Sequence, residues 1–263
     1  MKSFILDKRL ATNTDYYTES DTAYIIQKVG TDDTSKVTAK VDGVPCAEFI
    51  DAMANLLVNA SNRNDLFDLR DLYIVVPPDK TFRFEGTSGK YVRIKGYILK
   101  LGPGENLPPR HLARFQEQGR VFYSYQASAL SSTTTVAAGA TTDIISFECP
   151  AGEKWVFDSL LMAEATVGGS KDYDVTIRLV KQDQPLDNLI NSKTLLGLTQ
   201  YATPYPPDDT DGAVGMTLKD RPIELNPGEV LKVQAVNTSS SSKDLDPTTT
   251  KALIVGRQEY LKP

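Results

Sequence analysis

"KYVRIKGYILKLGPGE", residues 90–105, decides the fold class. Its period is two. Val92, Ile94 and Ile98 point to one side, while Tyr91, Arg93, Lys95 and Tyr97 point to the other. Successive side chains of an extended strand alternate between faces, so this is a strand with one dry face and one basic, aromatic face. The stretch closes on Leu-x-Pro-Gly-Glu. Proline presets φ for the first turn position and glycine takes positive φ at the next, which makes a tight turn. The same phrase returns in "LNPGEVL", residues 225–231.

Working outward, "DLYIVVPPD" (71–79) and "KTFRFEG" (80–86) read as strand, Pro turn, strand, and "RVFYSYQAS" (120–128) as a further strand. Upstream, "TAYIIQKV" (22–29) and "SKVTAKV" (35–41) flank the turn-prone "GTDDT", which predicts a hairpin. Residues 1–20 read as a polar arm or lead-in strand. One segment has the helical period instead. In "CAEFIDAMANLLVNAS", residues Phe49, Ile50, Met53, Leu56, Leu57 and Ala60 form a single apolar stripe, and Glu48 and Asp51 suit the dipole at its start. A helix over 47–60 is expected.

The second half repeats this grammar. "DIISFECPAGEKWVFDSLLM" (143–162) is strand, Pro-Gly turn, strand. "GGSKDYDVTIRLVKQ" (168–182) is a Gly/Ser/Lys turn before an alternating strand, "RPIELNPGEVLKVQAVN" (221–237) carries the repeated turn, and "KALIVGRQEYL" (251–261) closes the chain. Between the halves lies "ASALSSTTTVAAGATT" (127–142), small, polar and nearly uncharged. It reads as an interdomain crossing or an edge strand. With 263 residues there is room for two domains of this kind. The expectation is a mainly β protein of two β-sandwich, jelly-roll-like modules, 1–128 and 129–263, with one short helix in the N-terminal module.

Net charge is −5, which speaks against a general nucleic-acid binder. The charge is uneven. Residues 1–126 carry 17 basic and 16 acidic side chains, whereas 127–263 carry 12 and 18. Within 79–120, nine Lys/Arg face four acids. A solvated strand surface is the bland reading of that run, and a docking face for an acidic partner surface the sharper one.

Few residues suggest chemistry. His111 is the only histidine, in "LPPRHLARF", with no G-x-S-x-G elbow or reactive-cysteine context anywhere. One His and two distant cysteines, Cys46 and Cys149, cannot build a standard zinc site. The two thiols are expected to be buried and unbonded to each other. "PPDDTDG" (206–212) clusters three Asp residues but lacks the EF-hand spacing, so calcium there stays an open alternative to a solvated loop. Phosphate-binding glycine motifs are absent. Trp155 sits in an apolar strand and reads as core. No secretory leader is expected from "MKSFILDKRL", and no stretch is apolar enough to span a bilayer as a helix. The chain is therefore expected to be no enzyme, with no cofactor, no metal, no membrane and no direct nucleic-acid contact.

Tyrosine and arginine, favoured at interface cores, are placed more suggestively. Tyr91, Arg93, Lys95, Tyr97, Arg110 and Arg114, with Tyr201 and Tyr205 in the stiff loop "YATPYPP", are the expected partner-binding residues. Turn phrases such as "CPAGEKWVFDSL" and "LNPGEVLKV" in β-rich modules with Ser/Thr-rich loops resemble virion structural proteins of tailed bacteriophages, of the capsid decoration (cement) or neck and tail accessory type. That resemblance implies a homo-oligomeric virion component docked on a major capsid, tail or neck protein. It carries no functional residues over. A carbohydrate-binding adhesin module directed at a host surface is the alternative.

Overall fold

The computed structural model of the protein describes residues 1–51, 53, 66–172, 174–186, 214–219 and 222–261. The expected contact loop with Tyr201 and Tyr205 and the acidic loop 206–212 lie outside the described residues. The chain divides into two compact units, Met1–Ser124 with Arg257–Tyr260, and Tyr125–Gly256 with Leu261–Pro263.

In the first unit, the strands are β1 (Lys2–Ala11), β2 (Asp15–Tyr17), β3 (Thr22–Thr31), β4 (Val37–Val41), β5 (Val44–Phe49), β6 (Phe67–Asp68), β7 (Ile74–Val76), β8 (Thr81–Glu85) and β9 (Tyr91–Lys100). They are followed by helix α1 (Pro109–Glu117) and by β10 (Val121–Ala129), which runs on into the second unit. One sheet has the order β1-β9-β3-β6, with β7 also on β3; the other is β2-β8-β4-β5. All the pairs are antiparallel. Across the sandwich, Tyr24 meets Phe82 edge-on at 5.7 Å. The other side of β3 buries Ala23 and Ile25 beneath α1, with Val75, Leu99 and Phe115. Under α1 this strand is thus dry on both faces, as a covered strand must be, while Gln27 and Lys28 beyond the roof are exposed.

In the second unit, the strands are β11 (Thr134–Val136), β12 (Thr141–Glu148), β13 (Glu153–Glu164), β14 (Thr166–Val167), β15 (Ser170–Lys171), β16 (Val175–Lys181), β17 (Gln184–Pro185), β18 (Val214–Thr217), β19 (Ile223–Leu225), β20 (Val230–Asn237), β21 (Lys243–Leu245) and β22 (Lys251–Tyr260), whose residues from Arg257 on belong to the first unit. Sheet β12-β20-β16-β17 packs on sheet β10-β22-β13-β18, which also carries β19. The shared core draws Ile145, Ile177, Leu179, Leu231 and Val233 from the first of these, and Trp155, Phe157, Leu225 and Ile254 from the second. Trp155 is spent there: it stacks on Phe157 at 5.3 Å and donates to Glu153 at 2.8 Å. The fold is mainly β, two sandwich modules, with the short helix α1 in the first.

Several local expectations need correction. Strands β3 and β4 do form, but not as a hairpin. The turn between them carries the chain from one sheet to the other, because buried Asp33 is anchored elsewhere: it accepts from the Thr87 amide at 2.6 Å and the Ser35 amide at 2.9 Å. The stripe expected as a helix over 47–60 begins as a strand, since Ala47, Glu48 and Phe49 pair with β4. Glu48, expected at a helix start, instead bridges Lys36 and the Ser124 hydroxyl. Residues 51 and 53 are helical and 54–60 lie outside the described residues. The helix that is described, α1, falls in a segment to which the sequence assigns no element.

The repeated turn phrase is one structure used twice. The Glu105 amide bonds the Gly102 carbonyl and Gly104 has φ +77°; the Glu229 amide bonds the Asn226 carbonyl and Gly228 has φ +78°. In each, the glutamate carboxylate folds back onto the amide at the first turn position, at 2.6 and 2.8 Å. Their contexts differ. The first leads from β9 toward α1, and the second joins β19 to β20 across two sheets. The shared phrase is turn chemistry, whatever the ancestry of the modules.

Candidate docking face

Strand β9 lies between β1 and β3, and the antiparallel register puts paired residues on one face. Val92 and Ile94 are fully buried on the inner side. On the outer side the order is Tyr91, Arg93, Lys95, Tyr97, with Ala11, Arg9, Asp7 and Ile5 opposite them on β1 and Gly30, Lys28 and Ile25 opposite the last three on β3. The bulge in β3 between Ile26 and Lys28 needs Gly96: a Cβ there would sit 1.9 Å from the Ile25 carbonyl oxygen.

This outer side has an open end and a roofed end. At the open end, the Arg9 guanidinium lies 3.9 Å over the Tyr91 ring. Arg93 donates twice to Asp7, at 3.1 and 3.0 Å, and the Lys95 ammonium stands 3.8 Å from the same carboxylate. The Arg93 hydrogen bonds hold the Asp7 carboxyl below its ordinary range, with added attraction from the Arg93 and Lys95 charges. Arg93 and Lys95 remain 38% exposed and Tyr91 41%. Four cations (Arg9, Lys28, Arg93, Lys95) therefore surround one or two carboxylates, since Lys28 faces Asp68 at 3.9 Å. The patch carries surplus positive charge.

At the roofed end, α1 covers the strand. Pro109 at its first position fits the helix start, where no amide partner is lost. Beside Phe115, its most buried side chains are polar: His111 and Arg114, with Gln118 just past its end, are 2, 6 and 3% exposed. Gln118 mimics a neighbouring strand, accepting from the Val75 amide at 2.9 Å and donating to the Val75 carbonyl at 3.0 Å. Arg114 donates to the carbonyls of Tyr73, Leu72 and Val121. Expected as a partner-binding residue, Arg114 is instead an internal clamp, because α1 lies flat on β7 and turns it inward.

His111 stands between two tyrosines. Its Nε2 accepts from Arg110 Nε at 3.2 Å, so the proton is on Nδ1, which donates to the Tyr73 hydroxyl at 3.0 Å. Tyr97 then donates to Nε2 at 3.0 Å. Burial, helped by the Arg110 charge, holds His111 below its ordinary pKa, and burial pushes the Tyr73 hydroxyl up. Tyr97 is tied into this cluster, while Arg110 keeps an exposed side chain beside it. Of the expected residues, then, Tyr91, Arg93 and Lys95 share one open surface, Tyr97 and Arg110 belong to the histidine cluster, and Arg114 is interior. Sequence reading missed Arg9 and Asp7. Alternation across a paired strand would have supplied them only once the β1–β9 pairing was known.

Both cysteines are free and buried, and burial pushes the Cys46 thiol up to about 12. Among the described residues, no three metal-ligating side chains cluster, and no helix is long and apolar enough to cross a membrane.

No protein-family model and no curated protein matches the chain. Solved structures do resemble it in part. The major capsid protein P2 of bacteriophage PM2 is similar with a TM-score of 0.40 at 10% identity, over 98% of both chains. Latent PorU from Porphyromonas gingivalis gives 0.26 at 10% identity, over 97% of this chain and 24% of that one. A structure of infectious bursal disease virus, Gx strain, gives 0.25 at 10% identity, over 99% and 75%. Viral capsid proteins are thus among its structural neighbours, all at low scores, and the functional reading rests on the face itself.

Proposed function

We propose that the chain is a non-enzymatic virion structural protein that docks through the open end of the β9 face onto a capsid, tail or neck lattice, as a decoration or accessory component. The observation that carries this is the half-exposed Arg9–Tyr91 and Arg93–Asp7–Lys95 constellation on a central, rigidly paired strand. Arginine and tyrosine are the side chains that anchor interface cores, and surplus cations suit an acidic lattice. Supporting it, the chain's only imidazole and both thiols are committed to the interior. The test is co-sedimentation with virion shells lacking the chain, at about 50 and about 150 mM salt, where screening lengths differ nearly twofold. Binding that weakens with salt is expected. Absence of binding at both, together with retention on a glycan array, would transfer the reading to a host-directed adhesin.

A further inference from the structure

The edge of the first sheet supplies an interaction surface independent of that reading. Strand β1 is ten residues long, pairs with β9 without a bulge from Lys2 to Ala11, and has no strand on its other side among the described residues. Which backbone groups face outward follows from one bond. The Thr12 amide donates to the Lys90 carbonyl, so even-numbered residues of β1 are bonded to β9 and odd-numbered ones point away. The Tyr16 hydroxyl confirms the alternation by accepting from the Ala11 amide at 2.8 Å and donating to the Ala11 carbonyl. Ser3, Ile5, Asp7 and Arg9 therefore present outward amides and carbonyls. At the same place Ile5 is 88% and Phe4 52% exposed. A long, regular edge bearing apolar side chains is a template for another strand.

We infer that this edge pairs with the same edge of a second copy, antiparallel and centred on Ile5, making a two-fold dimer with one continuous sheet. The register argues for a second copy as occupant. Two-fold symmetry about the sheet normal requires a residue to face its own mate. Centring on Ile5 puts Ile5 against its mate, Ser3 against Asp7, and Phe4 against Leu6, so both exposed apolar side chains are covered and Asp7 meets a hydroxyl donor. Centring on Asp7 would oppose two carboxylates, and centring on Ser3 would leave Phe4 facing Lys2. The pairing also places Lys8 opposite Lys2, but the Lys8 ammonium is drawn aside onto Tyr24, 2.8 Å from its hydroxyl and 4.7 Å over its ring.

The test is sedimentation of the whole chain, with variants chosen by the register. Ile5→Pro removes an outward amide that β9 does not use, so the unit should still fold, as circular dichroism would report. Dimerisation should weaken at least about tenfold from the loss of both central hydrogen bonds. Ile5→Cys should cross-link under mild oxidation, because facing residues of a hydrogen-bonded pair have Cα atoms about 5.5 Å apart, within disulfide reach. Ser3→Cys, four residues out of register with its mate, should not. A wild-type chain that is monomeric up to about 100 μM, where a μM Kd would give dimer, would overturn the proposal. So would cross-linking of Ser3→Cys as fast as Ile5→Cys, or an Ile5→Pro chain that folds and dimerises like wild type.

Discussion

The two ends of β9 use the same kinds of side chain for opposite purposes. At the roofed end, Tyr97 and Arg114 are consumed internally, one on His111 and the other on three backbone carbonyls. At the open end, Tyr91 and Arg93 are held in place by Arg9 and Asp7 yet left half in water. The difference teaches that residue type alone does not mark an interface. What decides is whether a neighbouring element covers the side chain: the Arg114 side chain lies beneath α1, whereas Arg93 is bonded to Asp7 and still reaches water.

The comparison breaks most severely at Arg114. Replacing it with Met keeps its length but strips donors from three carbonyls, and should cost about 3 kcal/mol of stability in urea unfolding. A neutral result would mean that the roof is not held by this clamp. Gln118→Ala leaves the buried Val75 amide and carbonyl without partners and should cost about 2 kcal/mol by the same measure.

A smaller, pH-linked effect sharpens the roofed end. His111 has a folded-state pKa below 6.5, so protonation favours the unfolded chain. Its contribution is intact above about pH 6.5 and declines as pH falls below that value, until the lowered folded pKa is passed. The carboxylates with lowered values, such as Asp7, Glu19 and Asp33, act in a window further down. Thermal melts between about pH 7 and 5 should therefore show a decline in Tm that His111→Gln removes. Since the chain has one histidine, persistence of the decline in that variant would refute the assignment.

Much of this was legible in the sequence, for physical reasons that also explain the gaps. The alternation in 90–100 named the dry and wet faces of β9 because a strand's period is fixed at two. It could not say that α1 would cover half the wet face. That helix was invisible to an apolar-period reading, since its most buried side chains are His111 and Arg114, with Gln118 just past its end, residues that bury only when a specific partner waits for them. Conversely, Phe49 and Met53 sat at helical spacing, but pairing of β5 with β4 claimed the start of that segment. Tertiary pairing overrode local pattern there. Nor does local sequence announce that Arg257–Tyr260 rejoins the first unit.

The smallest effect on stability should accompany the largest on binding. Arg93→Glu with Lys95→Glu changes only half-exposed groups at the open end, so the fold should be retained. Affinity of this double variant for purified virion shells lacking the chain, measured beside wild type at about 50 and about 150 mM salt, tests the docking face most directly. Binding should drop at least about tenfold at the lower salt, and the difference should narrow at the higher. Unchanged binding at both salts, with the loss appearing instead when Asp208 and Asp209 are reversed to Lys, would contradict it and assign the contact to the acidic second half of the chain.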